Sequence, residues 1–181
     1  DPNLQLDVLQ QVKRPALVAC DTMNFWINGK RDALWNVLQH IDILIINDGE
    51  ARALGEDTNL VKVAKKILAR GPKHLIVKRG EYGVLMFNDK HVFGAPAFPL
   101  DDVRDPTGAG DTFAGGFLGY LAATGNRSPE AMRQAIIFGS VMASFTVEAF
   151  SLDRLRILDD KESETRFKEC KPLTHFEDSG A

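Results

Sequence analysis

One short stretch gathers residue types able to do chemistry together. Asp105-Pro106-Thr107-Gly108-Ala109-Gly110-Asp111-Thr112-Phe113 sets two glycines and a small alanine directly before an amphipathic helical pattern. Such a turn lets successive backbone N–H groups converge on one point. The positive end of the following helix adds to them, so an anion is well accommodated there. Asp111 then stands beside that anion, where a carboxylate is repelled by bound phosphate unless it has a task. Taking the proton from an attacking hydroxyl is such a task. Aspartate is also a preferred helix cap, and capping alone explains Asp111 about as well. Gly115, Gly116 and Gly119 in the next helix tilt the balance. Each costs about 1 kcal/mol against alanine in a helix interior. They are easier to explain where the helix lies very close to a backbone or a ligand. Two familiar phosphate loops do not fit. A P-loop needs Lys and Ser/Thr after its last glycine, and Phe117 follows Gly115-Gly116. The dinucleotide fingerprint needs a glycine where Phe113 stands.

The elements that must position this turn follow from the apolar pattern. Residues 17–20 read as a buried strand, 31–40 as a helix and 41–46 as a second strand, nearly all apolar. Residues 58–70 are helical, with Leu60, Val63, Ala64, Ile67 and Leu68 on the 3.6-residue period. Thr58 is the expected cap and Gly71-Pro72 the expected stop. Residues 74–78 form a third strand, and 83–87 with 91–94 a hairpin. Residues 112–124 and 128–147 are two further helices. Ser128-Pro129-Glu130 supplies a cap, a first-turn proline and an acid at the positive end of the second. Strands alternating with helices predict an α/β fold, a mostly parallel sheet flanked by helices with a small antiparallel hairpin added. At about 150 residues per domain, one domain is expected over 1–172, with a flexible tail at 173–181. The chain opens on a helical pattern without an initiator Met or a basic leader, as expected of a piece of a longer protein.

Composition removes other classes. Lys and Arg number 22 against 25 Asp and Glu, a net charge of −3. That lacks the basic surplus of a nucleic-acid binder. The longest apolar run, 41–46, contains Asp42 and is too short to span a bilayer. Cys20 and Cys170 lie far apart with no CxxC pair, so neither a zinc site nor a disulfide framework is visible and a reducing cytoplasm is expected. His40, His74, His91 and His175 show no ligand spacing. The polar-aromatic run Thr22-Met23-Asn24-Phe25-Trp26 follows a strand, where open α/β sheets place ligands; packing explains its aromatics more simply.

The stretch Asp105-x-Thr107-Gly-Ala-Gly-Asp111-Thr-Phe-x-x-Gly resembles the C-terminal signature of the ribokinase-like (PfkB) carbohydrate and nucleoside kinases. Asn47-Asp48-Gly49-Glu50 is similar to that family's Asn-x-x-Glu motif, and Lys78-Arg79-Gly80-Glu81-Tyr82-Gly83 to its Gly-x-x-Gly nucleotide loop. The three occur in the family's order, and the resemblance runs from about residue 4 to about residue 158. It implies an ATP-dependent kinase acting on a hydroxyl of a small sugar or nucleoside. Asp111 would be the base, and the amides of Gly108, Ala109 and Gly110 the anion hole. Asn47 and Glu50 would help hold Mg²⁺ through water; capping a helix after the strand is their plain alternative. Lys78, Gly80 and Gly83 would meet ATP, Lys78 standing where many relatives carry Thr. The glycines explain themselves equally as a turn between strands. Residues 135–140, ending at Ser140, would lie near the adenine, although an amphipathic core helix accounts for them too. Asp105 and Thr107 match positions that hold a monovalent cation, K⁺, in some members. The resemblance covers only the later part of such a kinase. The lid that often pairs protomers lies outside it, so a homodimer is expected only of a longer protein. The competing reading is a non-catalytic nucleotide- or phosphate-binding fragment or pseudokinase.

Overall fold

The computed structural model describes residues 1–175. The chain divides into two compact units. One holds Asp1–Arg79 with Leu85–Phe93; the other holds Gly80–Val84 with the chain from Gly94 onward.

The first unit begins with α1 (Pro2–Gln11), capped by Asp1. Next come β1 (Ala19–Cys20), α2 (Asn24–Gly29), α3 (Arg31–Leu38), β2 (Ile43–Asn47), α4 (Asp48–Gly55), α5 (Leu60–Leu68) and β3 (His74–Lys78). The hairpin β4 (Val84–Phe87) and β5 (Val92–Ala95) completes a five-stranded sheet of order β1-β2-β3-β4-β5. β1, β2 and β3 pair in parallel. The connections from β3 to β4 and from β4 to β5 are too short for a parallel crossover, so β4 runs against its neighbours. The mixed, mostly parallel sheet expected from the sequence is therefore present.

Burial follows from composition. Ile43, Leu44, Ile45 and Ile46 are all essentially inaccessible, as in a parallel strand covered on both faces. Leu44 and Ile46 join Leu34, Leu38, Leu54, Ile67, Leu75 and Val77 in one core. Each such side chain contributes about 1.5–3 kcal/mol by leaving water.

Several expectations are corrected. The strand expected at 17–20 is only Ala19–Cys20, and it is half-buried, because it pairs with β2 alone at the end of the sheet order. The cap of α5 is Asn59, not Thr58: its Oδ1 accepts from Val61 N at 2.9 Å and Lys62 N at 3.2 Å. The polar-aromatic run after β1 leads into α2, with extended Met23 as its N-cap and Asn24, Phe25 and Trp26 as its first residues. A further helix, α4, starts directly from the end of β2.

The second unit carries α6 (Ala109–Thr124), α7 (Pro129–Thr146) and α8 (Asp160–Thr174). Ser128 caps α7 as expected, its Oγ accepting from Ala131 N at 3.2 Å. α8 lies in the charged stretch that the pattern left unassigned, capped by Asp159. It packs Cys170 and Phe167 with Val141, Phe145 and Phe98. Two half-buried arginines lace it to the end of α7. Arg166 meets Glu148 at 2.7 Å and donates to Ser144 Oγ at 2.9 Å. Arg154 meets Glu148 at 3.0 Å and also pairs with Glu162. Both guanidinium groups lie over the Phe145 ring. α8 runs through Pro172 to Thr174 with His175 as its C-cap, so the expected tail starts helical, and its residues 176–181 fall outside the described ones. No described helix is long and apolar enough to cross a membrane.

Candidate functional site

In the first unit the candidates sit at the C-terminal ends of two parallel strands. Asn47 ends β2, Lys78 ends β3, and the two are partners in the ladder. That end of an open α/β sheet is where ligands bind. Asn47 also starts α4. Its Oδ1 accepts from Glu50 N at 2.8 Å, and Glu50 Oε2 accepts from Asn47 N at 2.9 Å. This is a complete capping box, each side chain satisfying a backbone donor of the other residue. Asn47 is exposed and Glu50 buried. The helix-capping explanation of this pair therefore holds. It uses one oxygen of each side chain and leaves the second carboxylate oxygen of Glu50 outside the box. Hard oxygens of this kind suit a water-mediated Mg²⁺. Among the described residues no group of three or more His, Cys, Asp or Glu side chains gathers around a metal position.

The second unit begins with the Gly80–Gly83 loop. Gly80–Tyr82 form a single 3-10 turn, closed by Gly83 N donating to Gly80 O at 3.0 Å. Gly83 has φ +82°, and a Cβ there would fall 2.1 Å from Ala95 O. Any other residue collides with backbone, so this turn demands its glycine without reference to a nucleotide.

The anion turn is built differently from a loop placed before a helix. Gly108, at φ +82°, reverses the chain by itself. The helix then starts at Ala109, three residues before the expected Thr112. Ala109, Gly110 and Asp111 are thus the first turn of α6. Ala109 N donates to Pro106 O at 3.2 Å, and Thr112 N to Gly108 O at 2.9 Å. Gly110 and Asp111 fall between, at positions with no acceptor inside the helix. Their N–H groups, and that of the N-cap residue Gly108, are the ones open to an anion. Asp111 is exposed, while Gly108, Ala109 and Gly110 are half-buried.

Neighbouring residues brace the turn. Asp105 Oδ1 accepts from Thr107 N at 2.9 Å. That N–H, helped by the Thr107 hydroxyl, holds the Asp105 carboxyl below the usual carboxylate range. The three glycines of α6 divide. A Cβ on Gly116 would lie 3.0 Å from Met142 and 3.1 Å from Gly139 Cα, so this residue lets α6 approach α7. A Cβ on Gly115 or Gly119 would meet nothing within 4 Å. Close packing thus explains only one of them. Within 135–140, Ala135, Ile136 and Gly139 are buried. A Cβ on Gly139 would lie 2.7 Å from Phe113 O. Ser140 is half-buried on α7.

Three residues have roles that spacing did not reveal. Thr112, Thr146 and Val147 tie the turn to α7 through partners distant in sequence. A polar pair visible only after folding leaves no local signal.

With this geometry in hand, the chain can be set beside known proteins. Residues 4–155 match the model of the pfkB family of carbohydrate kinases. A cytidine kinase of Thermococcus kodakarensis is 36% identical over 94 residues, which is 50% of this chain and 34% of that protein. A ribokinase structure from Thermotoga maritima superposes with TM-score 0.71 at 29% identity, over 90% of this chain and 52% of its own. A nucleoside kinase of Methanocaldococcus jannaschii shares the fold at TM-score 0.75 and 22% identity, over 93% of this chain and 54% of its own. The chain therefore spans about half the length of these solved structures and about a third of the cytidine kinase. A family match over most of the residues, together with a shared fold, places this chain in the pfkB family of carbohydrate kinases.

Proposed function

We propose that the protein is an ATP-dependent phosphotransferase that moves a phosphoryl group to a hydroxyl of a sugar or nucleoside. The observation that carries this reading is the first turn of α6. Exposed Asp111 stands there on the same helical turn as two N–H groups without helical acceptors. In this reading Asp111 takes the proton from the acceptor hydroxyl as it attacks. The N–H groups of Gly110 and Asp111, in the turn shaped by Gly108 and Ala109, hold the charge of the group in flight. Preorganised donors of this kind are worth several kcal/mol. Ala109 N–H serves the turn itself and is the weakest of the proposed donors.

In the other unit, Asn47 and Glu50 are assigned to Mg²⁺ through water. The ion, when bound, neutralises phosphate charge. Lys78, Gly80, Gly83 and Ser140 are assigned to the nucleotide. Asp105 and Thr107 supply one carboxylate and one hydroxyl, too few oxygens to replace the water around K⁺ by themselves. No step is assigned to that ion. The reading sets the reaction in the cytoplasm, where thiols stay reduced. Cys20 and Cys170 are both free thiols, and burial pushes Cys20 up to about 11, which keeps it protonated.

The test is transfer of labelled phosphate from Mg·ATP to ribose, fructose, adenosine and cytidine, by wild type and Asp111→Asn. Transfer that the variant loses while still binding ATP supports the reading. Equal transfer by the variant overturns it. ATP binding with no transfer to any acceptor supports the non-catalytic nucleotide-binding reading instead.

A further inference from the structure

The segment carrying the anion turn is fastened at both ends to one place, the last turn of α7. At its start, Arg104 N and Asp105 N both donate to Val147 O, at 2.8 and 3.3 Å. At its end, the hydroxyls of Thr146 and Thr112 meet at 2.9 Å. Thr146 is 2% exposed. A hydroxyl so buried must be hydrogen-bonded to be tolerated, and valine would fill the same space without that demand. Its partner Thr112 immediately follows Asp111. The same turn of α6 is pressed on α7 where Phe113 O meets Gly139. Packing at Gly139 sets how near α6 comes. Together with Gly116 against Met142, more than a turn beyond Asp111, it also sets the general roll of α6. The directed hydrogen bond lies beside Asp111 itself and restrains the first turn, where the helix frays most readily.

We propose that Thr146 is a positioning residue, acting through Thr112 to fix the roll of the first turn of α6. In so doing it aims both Asp111 and the N–H groups of Gly110 and Asp111. The proposal rests on the kinase reading for its consequence, and not for its geometry. A side chain reaches about 5–6 Å from a helix axis. A roll of about 10° therefore displaces its end by about 1 Å, and a misplacement of that size can cost about 100-fold in rate.

The experiment compares wild type, Thr146→Val, Thr146→Ser, Thr112→Val and the double valine variant. Steady-state kinetics are measured together with amide hydrogen exchange on the 181-residue chain. Thr146→Val is expected to lower kcat by about 10- to 100-fold, with KM for ATP changed less than about twofold. Thr146→Ser should restore most of the loss. The double variant should be no worse than either single one, since both remove the same bond. In exchange, the amides of residues 110–113 should open about tenfold faster in Thr146→Val, while mid-α7 amides keep their protection. Wild-type kcat in Thr146→Val, failure of serine to rescue, or a uniform rise in exchange along α7 would overturn the proposal. Asp111→Asn belongs in the same series. If it keeps full turnover, the kinase reading fails, while the exchange data still decide whether Thr146 holds the turn.

Discussion

The helices α4 and α6 each carry an acid at the third helical position, and they treat it in opposite ways. α4 is capped by the Asn47 side chain, and its acid, Glu50, is buried and folded back onto the Asn47 N–H. α6 is capped by Gly108, which has no side chain to offer, and its acid, Asp111, is exposed. The first helix satisfies its own terminus. The second leaves donors and a carboxylate turned outward and relies on α7 to hold it in place. A terminus that is finished serves stability and can add only a spare oxygen to chemistry. A terminus capped by glycine gives up only a few tenths of a kcal/mol against a good side-chain cap and leaves its groups open to a ligand.

The contrast can be broken most decisively at Asp111. Asp111→Asn should reduce kcat by about 100- to 10,000-fold, as expected of a lost general base, with an unchanged melting temperature. A melting temperature that falls while turnover survives would show that α6 uses its acid as α4 does. Next in size is Gly139→Ala, which puts a methyl group against Phe113 O. A loss of about 1–3 kcal/mol is expected despite alanine's better helix propensity. Urea denaturation checks it, and a more stable variant would show that α6 is not braced by this contact. Asn47→Ala should cost about 1 kcal/mol by opening the capping box. If Mg²⁺ dependence also weakens, the pair does both jobs; if only stability falls, α4 is purely structural.

The smallest effect belongs to Asp105. Its folded-state pKa is depressed, chiefly by the Thr107 N–H. The stabilisation is therefore present above the ordinary aspartate value of about 3.9 and is lost as pH falls through the folded value. Asp105→Asn should melt slightly lower than wild type at pH 7, and the gap should narrow as pH falls below the ordinary aspartate range. A gap independent of pH would mean that the Asx turn does not depend on charge.

Much of this architecture is written in short-range pattern. The runs 43–46 and 75–77 are apolar on both faces and largely β-branched, as a covered parallel strand requires, and the α5 periodicity is plain. α2 and α8 escape that pattern because one is short and aromatic and the other carries charge nearly all round. α8 could have been found from its start, where Asp159 caps it by accepting from Glu162 N at 2.7 Å; α2, preceded by Met23 with no side-chain cap, offered no such signal. For the site, the Asp105–Asp111 and Asn47–Glu50 spacings were visible, and Asn47-x-x-Glu50 is also the spacing of a capping box. The roles of Thr146 and Val147 were not visible. Their partners lie more than thirty residues away, and nothing local distinguishes a threonine whose hydroxyl is committed from one that merely fills space.

The arginine lacing of α8 has a bearing on ionic strength. Arg154, Arg166 and Glu148 are about four-fifths or more shielded, and each guanidinium lies against an aromatic ring. Dissolved ions reach such a cluster poorly, even where the Debye length falls to about 3 Å in molar salt. The Lys168–Glu164 pair on the outer face of the same helix is open to solvent and is screened away under those conditions. α8 should therefore stay docked in concentrated salt, held by the inward charges after the outward ones have ceased to matter.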